Sequence, residues 1–276
     1  MASQTTHDDS LVQLKLKIRE HDKLAPFYEI FDDPFLLGFL QGKKFQVEVA
    51  LSCVSLGVFT ANTFTEKIAT LEKYMNMRTV KYRKEMSPFR PSKVALLDTD
   101  FAQMLRHKDP EGRYIAVLNT CTWTPAFCSV AESIAVTHFA LDEGLRRYFY
   151  LSPDGVVLIL NFKDFPLSKM MASFPYLMQT VDLAFKCLPA SPKALHFVNE
   201  NALIHTFLPL FRKVISNKIG GRVHLHSTRL ESLHEHVPPN ILPKSLGGTL
   251  TDAEAYDSHL IAGAKANDAF YDGIWP

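Results

Sequence analysis

Histidine is the residue type whose spacing in this chain most invites a chemical reading. In "RVHLHS" (222–227) His224 and His226 stand two apart, so on a strand both face the same side, and His234 and His236 follow closely. Four imidazoles can ligate a metal, yet no cysteine or carboxylate stands beside them at ligand spacing. Imidazoles hydrogen-bonded at a strand end are therefore expected, with a histidine-based hydrolase as the catalytic alternative. Cys187 and Cys128 are candidate nucleophiles for which the sequence supplies no paired base. Together with Cys53 and Cys121 they show no C-x-x-C spacing and no disulfide-framework density, which suits buried thiols in a reducing compartment. There is no G-x-S-x-G elbow, no G-x-x-x-x-G-K-[ST] loop and no G-x-G-x-x-G after a strand. The residues thus argue against catalysis, and neither a metal nor a cofactor is expected.

The bulk properties agree with an ordinary folded protein. The chain has 276 residues, 47% hydrophobic and 21% charged, enough for one large domain or a small domain attached to a larger one. A formal net charge of +1 provides no global field for nucleic acid, so any electrostatic partner must be recognised locally. "MASQTTHDDS" lacks the charged and apolar regions of a secretory signal, and the longest apolar run, Val156 to Leu160, is strand-sized. A cytoplasmic location is expected.

Local patterns then place the elements. Residues 9–25 set Leu11, Leu14, Leu16 and Ile18 among charges, predicting an amphipathic helix. In "FDDPFLLGFLQGKKF" Asp33 is placed to cap a second helix, with Pro34 in its first turn. "QVEVALSCVSLGVFTANTF" predicts a third, making residues 9–90 a small all-α N-terminal domain. Residues 67–93 carry eight cations against two acids, with Glu66 just before them, a basic connector that is either a solvated linker or a membrane-facing stretch. Beyond it, "RYIAVLNT" (113–120), "GVVLILNF" (155–162), "ALHFVNEN" (194–201) and "RVHLHS" read as strands. They alternate with helical stretches near 126–150, 167–187 and 202–219. This order predicts an α/β domain over 91–250 with a mainly parallel sheet and right-handed crossovers. The tail, 251–276, has five acids against Lys265 and reads as polar closure or a loosely held end.

One helix is too greasy for its place. Over 203–218, Leu203, Ile204, Phe207, Leu208, Leu210, Phe211, Val214 and Ile215 fall within roughly 160°, where docking on a core needs only about 100°. Neighbouring helices cover the surplus, or the helix closes an apolar cavity. Pro209 inside it removes a backbone bond and makes a kink or weak point.

Several ordered stretches resemble the CRAL-TRIO lipid-transfer family, in particular its tocopherol-transfer and retinaldehyde-binding branch. They are "DDPFLLGFLQGKKFQVEVA" (32–50), "GRYIAVLNTCTWTP" (112–125), "DGVVLILNFKDF" (154–165), "PKALHFVNEN" (192–201) and "ILPKSLGGTL" (241–250). Asn161 stands where the family usually has Asp, and Asn201 where Pro is usual. The resemblance implies a non-catalytic carrier holding one small hydrophobic ligand, tocopherol-like or retinoid-like, in a closed cavity. Helix 203–218 would be a gate that opens during transient membrane contact. A phospholipid or phosphoinositide exchanger, or a lipid sensor of the same fold, is the alternative. Implied cavity residues are Ala135, His138, Asp142, Val156, Leu158, Leu160, Leu183, Phe207, Leu210 and Phe211. His138 and Asp142 are spaced to pair with each other, and lining the cavity they would call for a ligand hydroxyl or carbonyl. Ser191, Lys193, Lys218 and Arg222 take the positions of the family's phosphoinositide-binding cleft, Ser191 being the departure from its basic pattern.

Overall fold

The β-rich runs are apolar on both faces, so each must be buried on both, and they pair into one sheet with cover on either side. A computed structural model of the chain describes residues 2–41, 70–151, 155–187, 189 and 192–276. Helices α1 (Ala2–Arg19), α2 (Asp33–Gln41) and α3 (Arg83–Met86) precede the sheet. Then come β1 (Ala102–Met104), β2 (Tyr114–Asn119), α4 (Val130–Arg147), β3 (Val156–Asn161), α5 (Leu167–Ser173) and α6 (Leu177–Val181). They are followed by β4 (Pro192–Val198), α7 (Ala202–Val214), α8 (Asn217–Gly220) and β5 (Val223–Leu225). Last are α9 (Leu230–His234), α10 (Asp252–Ala255), α11 (His259–Lys265) and α12 (Asp268–Ile274). This is the expected α/β architecture preceded by helices.

The strands lie in the order β1-β2-β3-β4-β5, with β1 antiparallel to β2 and the rest parallel. Because spatial order follows chain order, right-handed crossovers carry α4, α5–α6 and α7 to one face. Register then decides what they meet. Ala116 pairs with Leu158 and Leu158 with Leu195, while Leu118, Leu160 and Phe197 form the next row. The intervening residues Ile115, Val157, Ile159, Ala194 and Val198 point the other way. They pack against Leu233, Val237, Leu242 and Leu246 from the segment after β5. That segment owes its course to two glycines. Gly247 has φ +73°, and a Cβ on Gly248 would lie 2.0 Å from the Leu242 carbonyl oxygen.

The same back face holds the histidines. His196 Nδ1 meets His226 Nε2 at 2.9 Å, and His226 Nδ1 meets Ser232 Oγ at 2.7 Å. His224 stacks on His196 at 5.0 Å, and His236 packs against both. His234 instead bonds the Leu246 carbonyl. Burial, then the neighbouring imidazoles, lower His196 to about 3 and His226 to about 4. Both rings are thus held neutral.

Several expectations change. The cap of α2 is Asp32, whose Oδ1 accepts from Phe35 N at 2.8 Å, which puts Asp33 and Pro34 in the first turn. Leu16 is exposed, while α1 buries Leu11, Leu14 and Ile18. The third helix and Cys53 lie outside the described residues. Cys121 and Cys128 are partly exposed, and only Cys187 among the described cysteines is buried. The segment after residue 70 is no linker: it is helical through a π turn, Met77–Lys81, that drives Arg78 into the core. The tail is firmly packed, with Leu260, Phe270, Tyr271, Ile274 and Trp275 buried in the core that also contains Phe35, Phe39 and Phe139. Its aromatics outweigh its acids.

Arg78 and Asp142 make the central polar contact of that core. Both side chains are fully buried, and Arg78 Nη2 bonds the two carboxylate oxygens at 2.9 and 3.2 Å. Tyr271 donates to the same carboxylate at 3.0 Å, the Trp275 indole donates to the Arg78 carbonyl, and the guanidinium lies over the Tyr74 ring. Removing one partner strands a buried charge, at a cost of about 3–5 kcal/mol, whereas replacing both with apolar groups is far milder. Urea unfolding should therefore show Arg78→Met strongly destabilised and the double variant Arg78→Met/Asp142→Leu substantially recovered. The histidines predict a second outcome. Their unfolded value is 6.5, so between pH 6.5 and about 3–4 the unfolded chain binds more protons than the folded one. Stability should be level above pH 6.5 and fall as pH drops below it, and His196→Asn should flatten that fall in a series of urea midpoints.

Candidate functional site

Between the front of the sheet and the crossover helices lies an almost wholly apolar cavity of about 360 Å³. Its floor is the front row of the strands, including Leu118, Val156, Leu158, Leu160, Leu195 and Phe197. One wall is α4, whose N-terminus is fixed by Ser129 accepting from Glu132 N. That helix contributes Ser133, Ile134, Thr137, His138 and Leu141. Trp123 closes one end, its indole N–H donating to the Cys128 carbonyl at 3.1 Å.

The cover is α7. Ile204 and Leu208 are buried, Phe207 and Phe211 half-buried, and all four line the cavity together with the more exposed Leu210. Phe211 packs near Phe185 and Phe197, and Phe207 near Phe174 on the loop side. The helix runs through Pro209 but stops at Val214, earlier than the apolar period suggests. Ile215 is extended, and Ser216 caps the separate α8. Asn201 starts α7: its side-chain oxygen accepts from Leu203 and Ile204 N–H, and its amide donates to the Phe165 carbonyl at 2.9 Å. The asparagine at a usual proline position is thus a helix cap.

Asn161, the second departure from the family pattern, is also built in. It donates to Asn119 at 3.0 Å and accepts from Asn199 at 2.8 Å, tying the C-terminal ends of β2, β3 and β4. Asn199 has φ +54°, a left-handed conformation that asparagine tolerates. The chain thus turns sharply from β4 toward α7.

Of the cavity residues named from sequence, His138, Val156, Leu158, Leu160, Phe207, Leu210 and Phe211 line it. Ala135, Asp142 and Leu183 are fully buried but do not. Asp142 does not pair with His138, because Arg78 and Tyr271 take both its oxygens. His138 Nδ1 instead meets the Ile134 carbonyl at 2.6 Å. Met104, Trp123, Phe165, Leu195 and Ile204 also line the cavity and went unnamed. For Leu195 and Ile204 the signal was visible, as the front-facing alternation of β4 and the buried stripe of α7.

Ser191 lies outside the described residues. Arg222 stands just before β5 and donates to the Pro192 carbonyl at the start of β4, beside Lys193. Lys218 is exposed on α8, one turn before Arg222. The topology therefore brings three cations to the sheet end next to the C-terminus of α7. Along the outside, Leu167, Met171, Phe174 and Met178 are exposed at helical spacing, with Leu210 on α7. No described helix is long and apolar enough to cross a membrane.

Comparison with known proteins agrees with this geometry. An alpha-tocopherol transfer protein-like protein of Mus musculus is 28% identical over 235 residues, covering 84% of this chain and 63% of that protein. Its Homo sapiens counterpart is 26% identical over 239 residues, covering 86% and 64%. Clavesin-1 of Rattus norvegicus is 28% identical over 220 residues, covering 79% and 58%. The chain thus spans about three fifths of the length of these relatives. The solved structure of Sfh5 superposes with a TM-score of 0.59 at 12% identity, covering 93% of this chain and 92% of that one, a likeness of fold. Residues 98–248, from before β1 through the glycine pair, match the CRAL/TRIO domain model, and the chain belongs to the CRAL/TRIO domain family.

Proposed function

We propose that the protein is a non-catalytic carrier of one small hydrophobic molecule, tocopherol-like or retinoid-like. In this reading α7 is a gate that opens at membranes. The observation that carries the proposal is the apolar cavity roofed by a single amphipathic helix. Among the described residues its lining has no cysteine and no acidic, lysine or arginine side chain, and Ser133 and Thr137 donate their hydroxyl protons to backbone carbonyls rather than to a base. Such a wall suits retention, not turnover. Relatives named for alpha-tocopherol transfer support the ligand class.

A bound lipid is stabilised by about 25 cal/mol for each Å² of apolar surface it buries, so it leaves slowly while α7 is shut. Opening exposes the underside of α7 to water, a cost that an interface offsets. The exposed row Leu167, Met171, Phe174 and Met178 borders α7 through the Phe174–Phe207 contact and is placed to enter that interface. Lys193, Lys218 and Arg222 would meet anionic headgroups, where several charge-assisted hydrogen bonds converge on phosphate. Arg222 also holds the Pro192 carbonyl, so the two lysines are the cleaner probe of this contact.

Organic extraction and mass spectrometry of the purified protein should yield about one isoprenoid per chain. Recovery of phospholipid alone would favour an exchanger of the same fold, and a protein that is empty and takes up no lipid would end both readings. For the basic cluster, Lys193→Ala/Lys218→Ala should slow lipid transfer to vesicles containing phosphoinositide while leaving lipid affinity intact. An unchanged transfer rate would remove the cluster from the mechanism.

A further inference from the structure

The end of the cover carries charge of one sign. From Ala202 to Leu230 the sequence has no acidic residue, and Arg212, Lys213 and Lys218 are all exposed where α7 gives way to α8. Between them stands Ser216, also exposed, with cations four and three residues before it and another two after it. Arg212 leans across this junction, since a Cβ built on Gly220 of α8 would lie 4.0 Å from its Cγ.

The local backbone presents the serine. α7 stops at Val214, and Ile215 (φ −95°, ψ 162°) and Ser216 (φ −67°, ψ 149°) are both extended. Ser216 Oγ accepts from Ile219 N at 3.3 Å, a bond that uses a lone pair and leaves the hydroxyl hydrogen uncommitted. Thr206 Oγ1, on the same cover, instead donates to the Ala202 carbonyl. The bond that closes the last turn of α7, from Ile215 N to the Phe211 carbonyl, is long at 3.3 Å. Laying Arg212 and Lys213 along an enzyme cleft therefore gives up little. An exposed hydroxyl in extended chain between cations is a pattern that protein kinases with acidic clefts read through charge.

We infer that Ser216 is a phosphorylation site for a basic-directed serine kinase, and that its phosphate weakens the contact of the carrier with anionic membranes. In the transfer the Ser216 oxygen attacks the γ-phosphorus of ATP and the bond from that phosphorus to the β-bridging oxygen breaks. ADP leaves, and the hydroxyl proton passes to the base of the kinase. The phosphoserine carries about −1.5 to −2 charges at neutral pH. No carboxylate between Ala202 and Leu230 has to be displaced for it to pair with Arg212, Lys213 and Lys218. Those cations are then satisfied within the protein, and an anion stands where anionic headgroups would approach. No residue of the cavity lining is altered. This inference rests on the membrane contact of the carrier reading and supplies its regulation.

The test treats the intact chain with ATP, magnesium and the catalytic fragment of protein kinase C, and locates phosphate by tandem mass spectrometry. The wild type should take up phosphate at Ser216. Ser216→Asn, which keeps a side chain able to cap α8, should take up none there. The phosphorylated wild type should bind phosphatidylserine vesicles about tenfold or more weakly than untreated protein, and phosphatase should restore binding. Ser216→Asn carried through the same treatment should bind as untreated protein does, which separates phosphate at Ser216 from phosphate elsewhere. No phosphate at Ser216, or vesicle binding unchanged by it, overturns the inference while the carrier reading stands. An untreated protein that ignores the vesicles overturns the switch and the membrane step of the carrier reading together, and lipid extraction then tests carriage separately.

Discussion

The buried pair Arg78–Asp142 is the contact on which the arrangement of the rest depends. A carboxylate inside an apolar core is tolerable only when its charge and lone pairs are fully met, and three elements are recruited to meet them. The π turn supplies Arg78, α12 supplies Tyr271, and the residue just after α12, Trp275, bonds the Arg78 backbone. Asp142 lies on α4, so the pair fixes that helix from behind. One turn earlier on the same helix His138 borders the cavity. The ion pair therefore sets the position of the wall without touching it. It also explains why residues far outside the strands, at both ends of the chain, share one core with α4.

The two faces of the sheet are built on different principles. Behind it, β-branched and aliphatic residues interlock with Leu233, Val237, Leu242 and Leu246, and the remaining space is filled by imidazoles bonded to one another. In front, side chains from α4, α7 and the strands line an apolar cavity. The cavity of about 360 Å³ is framed by the caps at Ser129 and Asn201 and by the asparagine bonds at the strand ends.

Much of this was legible in the sequence, and the limits have physical causes. Strands β2 to β5 read as short, partly continuous apolar runs, and the excess apolar arc around Phe207 and Phe211 was plain, though the family resemblance was needed to read it as a cover. β1 did not, because three residues are too few to show alternation. The i, i+4 spacing of His138 and Asp142 was plain, but their divergence was not. The partner of Asp142 is 64 residues away and hidden among surface-like lysines and arginines, so charge count argued for a linker where the fold needed one buried cation. The tail misled in the same way, since five acids outnumbered its one lysine while Phe270, Tyr271, Ile274 and Trp275, at helical spacing, marked the face that would be buried. Asn201 read as a departure from a pattern, although asparagine just before an apolar helix is also an ordinary cap.

The construction of α7 suits the carrier proposed above. Its N-terminus is held by Asn201 and by the turn at Asn199, and Glu200 is buried with one oxygen accepting from Ser227 N. Its C-terminus ends in an extended, buried Ile215 that leads into a four-residue helix. In the middle Pro209 leaves the His205 carbonyl without its helical donor. In the proposed cycle the helix would bend at this interruption, and its C-terminal end lies beside Lys218 and Arg222, the groups offered to an anionic surface. Binding such a surface and lifting the cover would then occur at the same end of the same element, so a membrane could favour the open state through contacts that the closed state makes less well. In this proposal the N-terminal end would keep the strand ends and the cavity floor in place, so that opening would change the roof alone.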